Sequence, residues 1–125
     1  MSEYITIKEN RDFSKIYKKG KSLVSPVLVT YILKNRSNNL RYGITTGKKI
    51  GNAVKRTRAR RVIRASYYQL YSEIKPGYDF VFVARGKTPF VKSQAVYNAM
   101  RQQLKSANLL KKQDDSNEKN TVGFD

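Results

Sequence analysis

The chain has no cysteine, no histidine and no tryptophan, only 3 prolines, and 9 Asp and Glu set against 26 Lys and Arg in 125 residues. Each shortage removes chemistry. Without cysteine there is no disulfide scaffold and no thiolate nucleophile; without histidine as well there is no ordinary zinc site, no imidazole acid or base and no histidine-based triad. A self-contained hydrolase is therefore not expected. No run of ~18 apolar residues occurs, and the opening Met-Ser-Glu-Tyr-Ile carries an acid in place of a basic, apolar leader. The expected location is the cytoplasm, with no membrane partner.

What is present is a folded amount of apolar residues, 39%, and a formal charge of +17. The charge is unevenly placed. From Phe13 to Ser72 there is no Asp or Glu, while fifteen Lys and Arg fall in that stretch. A surface charged only for solubility would mix its signs. An excess of this size calls for a polyanion, and nucleic acid ranks ahead of an anionic membrane. Composition divides the chain into one domain over residues 1–107 and a polar, charge-mixed tail over 108–125, expected to be flexible.

The pattern of elements is readable in outline. Asn10 is a candidate cap for a short helix over 11–19, with Phe13, Ile16 and Tyr17 at helical spacing and Gly20 ending it. Residues 23–33 are β-rich but contain Pro26, so the strand is expected after the proline and at an edge. Residues 40–46 predict a second strand, antiparallel to the one before because the connection is short. From Asn52 to about Glu73 neither Pro nor Gly interrupts a helix that puts Ala59, Val62, Ile63, Ser66, Tyr67, Leu70 and Ile74 on one face. Lys75-Pro76-Gly77 stops it. Residues 78–84 predict a buried strand, and Ser93 caps a last helix to about Ala107 with Val96 or Tyr97, Met100 and Leu104 inward. The order predicts helices packed on a small mixed sheet.

The long helix carries the charge. Lys48 to Arg64 holds eight positive side chains and no negative one. At about 100° per residue, Arg56, Arg58, Arg60, Arg61 and Arg64 sweep roughly 200° of the circumference and the apolar face takes most of the rest. Arginines one turn apart repel, so the arrangement makes sense when phosphate neutralises it. From Lys55 onward Arg outnumbers Lys five to one, which suits bidentate phosphate recognition and stacking on bases. The Gly51-Asn52 entry leaves backbone N–H groups beside Lys48 and Lys49 as a further anion site.

The string from Gly51 to Arg64, with Gly43 to Ile50 before it, the 13–20 segment and the 78–85 strand, resembles the bacterial ribonuclease P protein subunit over roughly residues 7–107. Thr57 departs from the pattern, standing where the family usually has Asn. The resemblance implies a two-layer α+β sandwich, its mostly antiparallel sheet holding one parallel strand reached through a left-handed βαβ crossover. It implies a subunit that binds a large catalytic RNA and the 5′ leader of precursor tRNA and assists removal of the leader. The catalytic centre then belongs to the RNA and its Mg²⁺, with no catalytic or metal-binding residue in this chain and no obligate protein partner.

By the same resemblance Lys48, Lys49, Asn52, Lys55, Arg56, Thr57, Arg58, Arg60, Arg61 and Arg64 contact the catalytic RNA, and Phe13, Tyr17 and Tyr31 line the leader groove. Aromatic faces stack on bases without demanding sequence. The residues alone leave a second reading open, since Phe13 and Tyr17 lie one turn apart as core residues do, and Tyr31 alternates with Val29 and Leu33. A ribosomal or other structural RNA-binding protein is the alternative for the whole chain; it accounts for the charge but not for the Gly-Asn-Ala-Val-Lys-Arg string.

Overall fold

Side chains alternate faces along a strand, so a strand that is apolar at every position must be covered on both sides. Tyr78–Ala84, apolar at every position but Asp79, is close to such a strand, buried at Asp79, Phe80, Val81, Phe82 and Ala84, and it takes the centre of the sheet. The computed structural model describes residues 4–111. Its strands are β1 (Ile5–Thr6), β2 (Lys21–Val24), β3 (Leu28–Lys34), β4 (Arg41–Thr45) and β5 (Tyr78–Ala84), and its helices are α1 (Asn10–Lys19), α2 (Ala53–Leu70) and α3 (Ser93–Ser106). The sheet order is β1-β4-β5-β3-β2. β4 pairs with β5 and β1 with β4 in parallel, whereas β3 pairs with β5 and β2 with β3 antiparallel.

Several expectations are corrected here. The sheet is evenly mixed instead of mostly antiparallel, because the two-residue β1 adds a second parallel pair. β3 and β4 run in opposite directions as expected but do not pair; β5, with the most apolar surface to bury, inserts between them. The 23–33 segment is a hairpin of two strands, turning where Ser25 Oγ accepts from Leu28 N at 3.1 Å and Ser25 N donates to Leu28 O at 2.9 Å.

The two layers expected become three. Phe80, Phe82, Leu28 and Ile32 face α2 and α3 in the main core with Ile63, Tyr67, Leu70, Met100 and Leu104. On the opposite face Val81 joins Ile7 and Ile16 of the α1 side, with Phe13, Tyr31, Leu33 and Val83 half-buried around them. All seven residues assigned to the apolar face of the long helix are buried.

The ends of the helices differ in detail. α1 begins at Asn10 with Glu9 in the cap position, and Gly20 is extended, not left-handed; it is glycine because a Cβ there would lie 2.6 Å from Ile16 O and 2.8 Å from Ile32 O. Ser93 is the first residue of α3 and caps nothing, Lys92 holding the cap position. Past α3, Leu109 is buried, Ile74 bridges Leu110, and Lys111 N donates to Glu73 O at 2.7 Å, so the fold continues four residues beyond Ala107. The remainder of the expected tail lies outside the described residues.

Candidate nucleic-acid interface

The acid-free stretch gains its significance from where the carboxylates go. Asp79 is buried and accepts from Arg41 Nε at 2.9 Å and Nη2 at 2.6 Å, with Asn35 Nδ2 at 2.8 Å completing its shell. Asp12 lies 3.8 Å from the same arginine, and Glu73 accepts from Arg101 Nη1 at 2.9 Å. Hydrogen bonding to Asp79 raises the Arg41 pKa against a lowering by burial, so this guanidinium stays charged. Three of the described carboxylates are thus neutralised by arginines outside the basic helix. None reaches α2.

α2 opens where Gly51 takes φ +137, a conformation that L side chains rarely adopt, and Asn52 caps the helix by accepting from Lys55 N at 3.0 Å. That bond uses one of the free N–H groups expected for anion binding. Lys48, Lys49, Asn52, Lys55, Thr57 and Arg61 are exposed. The other arginines are half held. Arg56 donates to Gly51 O at 3.0 Å and Arg60 to Thr46 Oγ1 at 2.6 Å, while Arg64 lines the same shallow cavity as Tyr42 and favours ionisation of its hydroxyl. Arg58 donates to Pro89 O at 2.9 Å and Val91 O at 3.3 Å, so part of its guanidinium is committed to the loop before α3.

On the other face Tyr17 stands edge-on to Tyr31, centroids 4.9 Å apart at 83°, with Phe13 6.5 Å from Tyr17. Phe13, Tyr17 and Tyr31 therefore come together, and none is fully buried. Phe13 packs against the sheet at Gly43, where a Cβ would meet its ring at 2.7 Å. These residues pack on the α1 side of the sheet and still present aromatic surface.

The structure also joins two surfaces that sequence reasoning treated apart. Successive residues at the end of β4 point to opposite faces: Thr45 Oγ1 pairs with the Tyr17 hydroxyl at 2.9 Å, and Thr46 Oγ1 accepts from Arg60. Around this sheet edge Phe13, Gly43, Tyr42, Arg60 and Arg64 line one shallow cavity of about 150 Å³. Thr45 and Thr46 carried a usable signal, two hydroxyls at a strand end preceding a basic helix, but their partners are distant in sequence.

A positive helix flanked by half-exposed aromatics has the chemistry to receive an RNA strand, cations for phosphate and rings for bases. The model of the Ribonuclease P family matches residues 1–108 of the chain. The chain belongs to the bacterial ribonuclease P protein family. It is similar to the ribonuclease P protein component of Clostridium beijerinckii, 40% identical over 121 residues, which span 91% of this chain and 97% of that protein. The component from Clostridioides difficile is 50% identical over 80 residues, 63% of this chain and 70% of that one. Among solved structures, the RNase P protein of Staphylococcus aureus superposes with a TM-score of 0.77 at 33% identity, covering 86% of this chain and 99% of that chain. The Thermotoga maritima protein gives 0.73 at 29% identity, covering 84% and 97%.

The chain is thus a protein component of ribonuclease P, the ribonucleoprotein endoribonuclease of tRNA 5′ maturation, and its partner is the ribonuclease P RNA. The family's holoenzyme generally uses Mg²⁺. Among the described residues no three of His, Cys, Asp and Glu are grouped to hold a metal ion, and Asp12, Glu73 and Asp79 are paired with arginines. Among them, too, no helix is long and apolar enough to cross a membrane.

Proposed function

We propose that this chain acts by docking its basic helix on the catalytic RNA while the groove beside α1 takes the single-stranded leader of precursor tRNA. The observation that carries the reading is the sheet edge at Thr45 and Thr46, which ties the arginine face and the aromatic groove into one continuous surface. Lys48, Lys49, Asn52, Lys55, Arg56, Thr57, Arg58, Arg60, Arg61 and Arg64 supply the RNA contacts. Arg61, exposed and with no hydrogen bond among the described residues, is the clearest phosphate ligand; Arg58 divides its donors between RNA and the 89–91 loop. Thr57 offers a single hydroxyl there, without an amide's paired donor and acceptor.

Phe13, Tyr17 and Tyr31 form the base-stacking wall of the leader groove. Val29 and Val83, half-exposed on the same sheet face, continue its apolar floor. The crossover from β4 through α2 to β5 takes the left-handed course that the family resemblance implies, a reading supported by the likeness to the Staphylococcus aureus fold. Residues 1–107 form the RNA-binding domain, and the chain just past it is tied back to Glu73 and Ile74. Mg²⁺ is held mainly by the RNA, the work is done in the cytoplasm, and no obligate protein partner is required. What the protein's own residues contribute is positive charge against phosphate and a surface that aligns the leader.

Reconstitution tests this. The purified chain is added to the catalytic RNA at low Mg²⁺, with precursor tRNA as substrate. Correct 5′ processing is expected to rise from near zero. Absence of stimulation at every Mg²⁺ and salt concentration overturns the proposal.

A further inference from the structure

The two most exposed large apolar side chains among the described residues lie at the charged end of α2: Val54 is 76% and Phe90 68% exposed. Phe90 belongs to the short helical turn Thr88–Phe90 that precedes α3. α2 holds that turn by two cations one turn apart. Arg58 donates to the carbonyls on either side of Phe90, Pro89 O at 2.9 Å and Val91 O at 3.3 Å, and Lys55 Nζ sits 5.1 Å from the centroid of its ring. Val54, Thr57, Arg58 and Arg61, with Ala53, line an adjoining open depression of about 420 Å³. An aromatic ring is therefore fixed by its backbone and left out in solvent, which hydrophobic burial alone does not favour.

We propose that Phe90 is a stacking platform for one unpaired nucleobase of the partner RNA, with Val54 and the depression beside it receiving the adjoining nucleotide and Arg61 its phosphate. This rests on the reading of α2 as the RNA-docking helix. Charge selects the occupant. The sequence carries no acid between Asp12 and Glu73 and none between Asp79 and Asp114, so both segments that build the platform are purely basic. A second copy of a +17 chain is repelled there, whereas a base with its phosphate satisfies the ring and the cations together. Arg58 is a positioning residue in this arrangement: it holds the turn so that the ring needs no ordering when RNA arrives.

The chain has no tryptophan, so Phe90→Trp installs a sole indole reporter at the platform. Titrating that variant with the catalytic RNA is expected to quench its emission in step with binding, and Phe90→Ala is expected to bind roughly ten-fold more weakly with an unchanged salt dependence. RNA binding with no change in emission, or Phe90→Ala binding as wild type does, overturns the platform and leaves the docking helix standing. Emission that shifts with protein concentration in the absence of RNA assigns the face to a second copy and overturns it too. If the wild-type chain itself fails to bind, the docking reading falls with it. A thermal melt of Phe90→Ala matching wild type is expected, since the ring covers little of the core; should that variant melt early, the indole emission still decides.

Discussion

Replacing Tyr17 in two ways separates base stacking from every other use of that residue. Its hydroxyl makes one exposed bond, 2.9 Å to Thr45 Oγ1, and its ring stands edge-on to Tyr31 at 4.9 Å while remaining 38% exposed. Tyr17→Ala removes the ring. A base that stacks on an aromatic side chain gains ~1–3 kcal/mol, so precursor tRNA with its leader is expected to bind the reconstituted holoenzyme roughly 5- to 150-fold more weakly. Mature tRNA, which has no leader, is expected to bind unchanged. The stability cost is about 1 kcal/mol, the scale of one lost aromatic pair on a half-exposed ring. Tyr17→Phe keeps the ring and loses one exposed hydrogen bond, worth about 1 kcal/mol or less, so precursor affinity stays within a few-fold of wild type. Equilibrium binding of both RNAs at fixed salt and Mg²⁺ reads all of this. An equal loss for precursor and mature tRNA, or a Phe variant as damaged as the Ala variant, refutes the stacking wall.

Two further predictions concern what holds the interface in place. Gln103, buried on α3, accepts from Thr30 Oγ1 at 2.6 Å and donates to Leu23 O at 3.1 Å and Leu28 O at 3.0 Å, tying α3 to the β2–β3 hairpin. Gln103→Leu strands the fully buried Thr30 hydroxyl, costing about 2 kcal/mol and roughly 10 °C of melting temperature, and adding Thr30→Val recovers part of the loss; additive losses in the double variant would contradict the pairing. Alkaline pH is the second. Burial, then the hydrogen bond to Tyr68, pushes the Tyr42 hydroxyl from 10.0 to about 12 against an opposing pull from Arg64, and burial pushes Tyr67 up as well. A folded pKa above the unfolded one means stability that is whole below pH ~10 and lost as pH climbs toward 12. Urea midpoints are expected to fall across that window in wild type and less steeply in Tyr42→Phe; a flat profile would contradict it.

The long helix is legible because its information is local: Ala59, Val62, Ile63, Ser66, Tyr67 and Leu70 recur at helical period and are buried, although the helix ends at Leu70 and leaves Ile74, buried too, in extended backbone beyond it. The arginine face follows from the same wheel. The strand neighbours were not legible, because pairing order is set by which strand most needs cover on both faces, and β5 outranks its neighbours only once the helices are placed on opposite sides. β1 is two residues long and has no periodicity to read. Phe13, Tyr17 and Tyr31 come together in the fold, but the sequence leaves them between core and groove, since spacing gives a face and not its exposure. Arg58's grip on the 89–91 loop, and hence Phe90, was invisible for a different reason: a guanidinium bonded to backbone carbonyls leaves no trace in the identity of its partners.

The central claim is that the acid-free arginine face of α2 docks on phosphate, and the salt dependence of affinity for the catalytic RNA tests it most directly. Arg61 is exposed and bonded to nothing in the described fold, so Arg61→Ala alters charge without altering packing. Measured from low to moderate salt, the logarithm of the wild-type association constant is expected to fall linearly with the logarithm of salt concentration. The variant is expected to bind more weakly, with a slope shallower by about 0.7 to 0.9 for the one phosphate contact removed. An Arg61→Ala protein with wild-type affinity and wild-type slope would contradict the account.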